Sequence, residues 1–175
     1  MKRFVGIKKL LFLFFAGFMF SSCSISYSFT GKSNIDYTKV SSISIKDFPN
    51  VAREYTYAPF SQQFTEALKD KFTRQTKLRV TRDGGDLDIE GEITGYSFTS
   101  MAVREDAYAS QTRLTITVRM RFSDTTNPDI DFEKSYSAYQ EFSNDNTIDQ
   151  VQEQLCVEII KEIVDQIFND TVANW

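Results

Sequence analysis

The chain of 175 residues contains no histidine. That absence removes Ser-His-Asp and Cys-His catalysis and every metal site built on imidazole. Cysteine is almost as scarce, with only Cys23 and Cys156 present. No HExxH, GxSxG, P-loop or GxGxxG pattern occurs, and Gly84-Gly85 is a turn signal rather than a phosphate cradle. A carboxylate pair or a Ser-Lys arrangement remains open. Basic charge is also in deficit: 20 Lys and Arg against 24 Asp and Glu give a net charge of −4. A net-acidic chain argues against general nucleic-acid binding, although local basic patches remain allowed. The sequence shows no internal repeat and no second domain.

What is present begins with an export signal. Lys2, Arg3, Lys8 and Lys9 form a positive head, Leu10 to Phe20 is an uncharged apolar run, and Ser21-Ser22 is a small-residue exit. As a helix the run spans roughly 16 Å at about 1.5 Å per residue. That is too short for the roughly 30 Å of a bilayer core, so a permanent transmembrane helix is not expected. Phe20-Ser21-Ser22-Cys23 resembles a lipobox, with Phe20 where Leu is usual, and assigns Cys23 as the lipidated first residue of the mature chain. Ordinary cleavage near Ser22, with Cys23 incidental, is the plain alternative. Several acyl chains on one residue anchor firmly where a single chain is marginal. With Cys23 lipidated, Cys156 has no partner for an internal disulfide and reads as a small buried hydrophobe. Loss of the signal, residues 1–22, deepens the net charge from −4 to −8, because it removes four basic residues and no acidic one. Residues 23–38 read as a polar tether, and 39–175 as one domain.

Within that domain the apolar periodicity sets the elements. Val40 to Phe48 alternates as a half-buried strand closed by Pro49-Asn50. Pro59 opens a helix on which Phe60, Phe64, Ala67, Leu68 and Phe72 share a face, read as core in preference to a lipid-binding groove. Lys77 to Arg82 is a short strand, followed by the tight turn Asp83-Gly84-Gly85-Asp86. Leu87 to Phe98 alternates, with Leu87, Ile89, Gly91, Ile93 and Gly95 on one face and Asp88, Glu90, Glu92, Thr94 and Tyr96 on the other. Ser97 to Ser110 reads as a connection. Arg113 to Phe122 is the strongest strand, with Leu114, Ile116, Val118, Met120 and Phe122 opposite Arg113, Thr115, Thr117, Arg119 and Arg121. Asp131 to Phe142 is another strand, with Phe132, Tyr136, Ala138 and Phe142 inward. Thr147-Ile148-Asp149-Gln150 fits a capping box ahead of a last helix buried along Ile148, Val151, Leu155, Ile159, Ile163 and Ile167.

These patterns predict an α+β two-layer sandwich. Two helices pack on one face of a roughly four-stranded mixed sheet, in the order β-α-β-β-β-α. The other face is polar and open to water or a partner. An antiparallel pairing of 87–98 with 111–122 sets Asp88 opposite Arg121, Glu90 opposite Arg119, Glu92 opposite Thr117, Ile89 opposite Met120 and Ile93 opposite Ile116. Both faces then match. Arg119 and Arg121 therefore have two readings: solvated cross-strand pairs, or contacts for phosphates or a partner's carboxylates. Arg113, Lys77, Arg79, Arg82 and Arg104 extend the candidate anion-binding set.

Several stretches in order resemble one family. They are Cys23 with Tyr27-Ser28-Phe29-Thr30-Gly31-Lys32-Ser33, the strand Val40-Ser41-Ser42-Ile43-Ser44-Ile45 with Phe48-Pro49-Asn50, and the helix end Phe72-Thr73-Arg74-Gln75-Thr76-Lys77-Leu78. Asp86-Leu87-Asp88-Ile89-Glu90-Gly91-Glu92-Ile93-Thr94-Gly95-Tyr96 and Arg113-Leu114-Thr115-Ile116-Thr117-Val118 complete the series. Nearly the full mature length thus resembles the LPS-assembly lipoprotein family LptE. The resemblance implies a non-enzymatic outer-membrane lipoprotein, anchored on the periplasmic side. It would plug and help assemble an LptD-like β-barrel and bind lipopolysaccharide, with no cofactor and no metal. Only Cys23 carries over residue by residue. A periplasmic lipoprotein serving another envelope machine, such as a lipid-transport ABC system, is the alternative. A carboxylate enzyme using Glu90 and Glu92 is the remote one.

Overall fold

Pro59, with φ of −69°, precedes a helix of Phe60–Gln75 (α1), and Phe60, Phe64, Leu68 and Phe72 on its inner stripe are wholly buried. The computed structural model describes residues 35–53, 57–101 and 110–172. Around α1 stand the strands Ser42–Ile45 (β1), Arg79–Thr81 (β2), Leu87–Ser100 (β3), Gln111–Asp124 (β4) and Phe132–Ser143 (β5), then the C-terminal helix Ile148–Thr171 (α2). The sheet order is β2-β1-β3-β4-β5. β1 runs parallel to both β2 and β3, and β3, β4 and β5 form an antiparallel meander. Five strands stand where roughly four were expected, because the three-residue β2 is a full member of the sheet. A parallel neighbour needs a crossover, and α1 supplies it between β1 and β2. Residues 31–175 form one compact unit that holds every described residue.

Both helices cover one face of the sheet. α1 packs over β1 and β2, α2 over β4 and β5, and the helices meet each other. Phe72 meets Phe168 edge-on at 5.2 Å, and Lys71 Nζ reaches Asp165 Oδ1 at 2.7 Å. Between them and the sheet lies one core of Ile, Leu, Val and Phe. Each such side chain, fully buried, stabilises by about 1.5–3 kcal/mol. The aromatic stripe of α1 is therefore core, as its spacing implied. At the start of α2 the Gln150 side chain accepts the Thr147 N–H at 2.9 Å, within the capping box.

Three details differ from the sequence reading. β1 is buried on both faces rather than half-buried, and it ends at Ile45 rather than Phe48, with Phe48 turned inward. Its ring meets Phe64 edge-on at 5.0 Å, its N–H donates to Thr65 Oγ1 at 3.2 Å, and the Ser61 hydroxyl donates to its carbonyl. Room for that ring comes from Gly91 on β3, where a Cβ would collide with Phe48 and with the Arg119 carbonyl.

The β3–β4 register is also two residues from the expected one. Glu90 faces Arg121, Glu92 faces Arg119, Ile89 faces Phe122 and Ile93 faces Val118. A shift of two preserves both faces, since side chains alternate with period two, so patterning alone cannot separate these registers.

The third difference is a register shift between Ile93 and Gly95, after which Gly95 faces Thr117 and Tyr96 faces Ile116. One extra residue in β3 inverts its alternation. Tyr96, expected on the polar face, is instead 2% exposed. Its hydroxyl accepts from Gln152 Nε2 at 2.7 Å and lies 3.7 Å from Cys156 Sγ. β3 continues to Ser100, through part of the stretch expected to be a connection.

Candidate functional site: the open polar face of the sheet

Alternation along each strand sends one set of side chains into the core and the other to the uncovered face. On that face the charges form stripes. β3 contributes Asp88, Glu90 and Glu92, β4 contributes Arg113, Arg119 and Arg121, and β5 contributes Glu133 and Glu141. Lys46, just beyond β1, reaches Glu90 Oε2 at 2.7 Å and Asp88 Oδ2 at 3.3 Å. Those two carboxylates, Glu90 foremost, hold its ammonium above the usual lysine range. Arg119 pairs with Glu92 and lies 3.8 Å from Glu133. Arg113 donates to Glu141 at 2.6 and 3.0 Å and stacks on Tyr139 at 4.1 Å. Thr117 and Ser137 share a hydrogen bond at 2.8 Å. Exposed cross-strand pairs of this kind contribute about 0.2–1 kcal/mol each.

The expected arginines therefore divide. Arg113 and Arg119 are engaged by acids of the same face, which is the cross-strand reading. Arg121 faces Glu90 and Glu133 in the register but makes no ion pair with described residues. Arg79 lies opposite Ser42 and so belongs to this face at its β2 edge, with Lys77 before it and Arg82 after it. Arg104 and Cys23 lie outside the described residues.

Sequence reasoning missed how the face is tied to the edge of β1. Asp86 Oδ2 accepts from the Ser41 N–H at 2.8 Å, the Ser42 N–H at 3.0 Å, and both serine hydroxyls at 3.1 and 2.9 Å. The Ser44 hydroxyl donates to Asp88. Gly84, with φ of +68°, and Gly85, whose missing side chain lets it abut the β1 backbone, swing Asp86 into position. The Asp-Gly-Gly-Asp string was legible as a turn, and the facing Ser41-Ser42 was the only hint of a clamp.

The Ser41 N–H first, then the Ser42 hydroxyl, hold the Asp86 carboxyl below the usual carboxylate range. A carboxyl depressed in the folded state stabilises fully above its unfolded value, about 3.9. That stability is lost as pH falls through the folded value. Asp86→Asn is therefore expected to unfold at lower urea than the native chain at pH 7. The gap should close as the pH falls below about 4, and an equal gap at all pH values would contradict the clamp.

On the opposite side of the molecule a groove of about 650 Å³ runs between the helices, floored by Ala67, Val157, Ile160 and Val164. Cys156 is buried, and desolvation pushes its thiol up to about 11, so it carries little thiolate. Among the described residues no three Cys, Asp or Glu side chains group to hold a metal, and no helix is long and apolar enough to cross a membrane. The open face offers an extended, charged, hydrogen-bonding surface suited to a polar partner.

Comparison with known proteins places this geometry. A family model described as "LptE: Lipopolysaccharide-assembly" matches residues 40–171. No curated protein matches the chain. Among solved structures, a minor lipoprotein from Acinetobacter baumannii is 16% identical, with a TM-score of 0.53, covering 78% of this chain and 95% of that one. An uncharacterized lipoprotein B from Nitrosomonas europaea is 15% identical, with a TM-score of 0.47, covering 77% and 83%. At such identities the likeness is one of fold.

Proposed function

The chain belongs to the LptE lipopolysaccharide-assembly family, and we propose that it is the lipid-anchored partner of an LptD-like outer-membrane β-barrel, helping to assemble it and to deliver lipopolysaccharide. The observation that carries this reading is the open sheet face. A domain seated in the lumen of a polar barrel needs a polar exterior on the side its helices leave uncovered. Here that exterior runs from Lys46, just beyond β1, across β3, β4 and β5 as alternating base and acid. The role requires no chemistry of its own, in keeping with a chain that lacks histidine.

A photo-crosslinking residue at the exposed Ser137, midway along the edge strand β5 of the open face, tests the orientation in cells. The expected product is an adduct with a large β-barrel. Adducts with inner-membrane proteins alone would contradict the reading.

Anchoring is proposed at Cys23, with residues 1–22 removed as signal, 23–38 as tether and the domain facing the periplasm. Cys23→Ala is expected to abolish labelling by a radiolabelled or alkyne fatty acid and to release the chain from the outer-membrane fraction. Undiminished labelling would refute the anchor.

A further inference from the structure

We propose that the free edge of β5 receives an extended, basic segment of a partner protein as a sixth strand of the sheet. The inference goes beyond the barrel partnership and does not depend on which protein supplies the strand, so the two can fail separately.

The two edges of the sheet differ. β2 has 3 residues, whereas β5 has 12, paired to β4 without a register shift and free of proline. A long, regular edge is a template for pairing unless something blunts it. The direction of its hydrogen-bonding groups follows from the ladder. The Asn144 N–H donates to the Ser110 carbonyl at 3.0 Å, which continues the β4–β5 register. Backbone groups alternate in direction along a strand, so the even-numbered residues of β5 bond to β4. The N–H and C=O of Glu133, Ser135, Ser137, Tyr139 and Glu141 therefore point away from it. Gln166 of α2 marks that direction. Its Nε2 donates to the Ser137 carbonyl at 3.4 Å, where the N–H of an added strand would otherwise stand. No other described strand pairs with this edge.

Charge selects the occupant. Beside the edge, the open face carries Glu133 and Glu141. On α2, Glu162 and Glu158 stand one and two turns before Gln166, both exposed and in no ion pair with described residues. Lys134, the one cation of β5, is held by Asp170. A second copy of the chain would bring the same acids to the same edge, where like charges oppose pairing. A foreign strand with Lys or Arg opposite Glu133 and Glu141 meets opposite charges instead, while its backbone completes the ladder. In strand addition the main chain supplies affinity and alternate side chains supply specificity.

The full chain in a neutral maltoside detergent is titrated with a capped peptide that alternates Val and Thr between two terminal Lys, spaced as Glu133 and Glu141 are. The controls are the same peptide with terminal Glu, and the basic peptide N-methylated at the amides that would reach β5. Amide hydrogen exchange is read by NMR at Ser135, Ser137 and Tyr139. The expected result is saturable binding of the basic peptide that slows exchange at these N–H groups about tenfold or more, with affinity about tenfold weaker or less for both controls. Ser135→Pro leaves the ladder to β4 intact, because that N–H points outward. It should stay folded by circular dichroism and bind the basic peptide about tenfold more weakly. Should Ser135→Pro not fold, Glu133→Lys takes its place. Absence of binding, binding that leaves these N–H groups exchanging freely, or equal affinity for the three peptides or for the variant overturns the proposal. Protection in the free chain that rises with protein concentration means that two copies pair, and overturns it as well.

Discussion

Gly91→Ala is expected to destabilise the domain by about 2–3 kcal/mol, a large loss for one methyl group. Gly91 sits on a central strand, and the position its Cβ would take is already filled by the Phe48 ring and the Arg119 carbonyl. The ring cannot retreat freely. Phe64 packs against it, and its own backbone is bonded to Thr65 and Ser61 on α1. The strain would thus reach the contact between the end of β1 and the start of α1. Urea unfolding followed by circular dichroism should show a lower midpoint with an unchanged slope. Adding Phe48→Leu should recover part of the loss, because the two sites are coupled through one contact. A loss below about 0.5 kcal/mol, the ordinary surface value, would contradict the packing described.

Tyr96→Ser is expected to cost more, about 3–5 kcal/mol, the range for truncating a buried aromatic. The alternation of β3 read from sequence places Tyr96 on the water-facing side. A substitution there would change stability by no more than about 0.5 kcal/mol. The register shift after Ile93 reverses that, burying the ring and giving its hydroxyl to Gln152 Nε2. Tyr96→Phe separates the two contributions. It keeps the packing and withdraws the acceptor from Gln152, for a cost of about 1–3 kcal/mol. A near-neutral Tyr96→Ser would restore the simple alternation and remove the bulge from the account.

The contrast at Tyr96 shows what kind of information the sequence carries. Period-two and period-3.6 patterns located both helices and every strand, because hydrophobic burial acts on each element separately. The α2 stripe from Leu155 to Ile167 and the capping box at Thr147 and Gln150 were legible for that reason. Features that depend on how elements meet were not. The β3–β4 register is degenerate in shifts of two, so Glu92 rather than Glu90 proved to face Arg119. The bulge near Thr94 leaves no mark in composition beyond Gly95. Phe48 breaks the parity of its own strand only because Gly91, 43 positions later in the chain, leaves a space for it.

The same limit applies to the open face. Arg113, Arg119 and Arg121 share one stripe in the pattern of β4 alone, yet whether each is occupied depends on acids from β3 and β5. Arg113 and Arg119 are held by Glu141 and Glu92, whereas Arg121, between Glu90 and Glu133, makes no ion pair with described residues. The strand pattern treats these three arginines alike, and the fold separates two that are held from one that is not. The Asp86 clamp was hidden likewise, because it joins a turn to a strand more than 40 residues earlier.

The central claim is the partnership with an outer-membrane barrel, and affinity purification of the full-length chain from detergent-solubilised outer membranes tests it most directly. The expected result is one large β-barrel, recovered stoichiometrically with the chain and identified by its heat-modifiable migration on a gel and by mass spectrometry. Recovery of an inner-membrane ABC complex with no such barrel would contradict it.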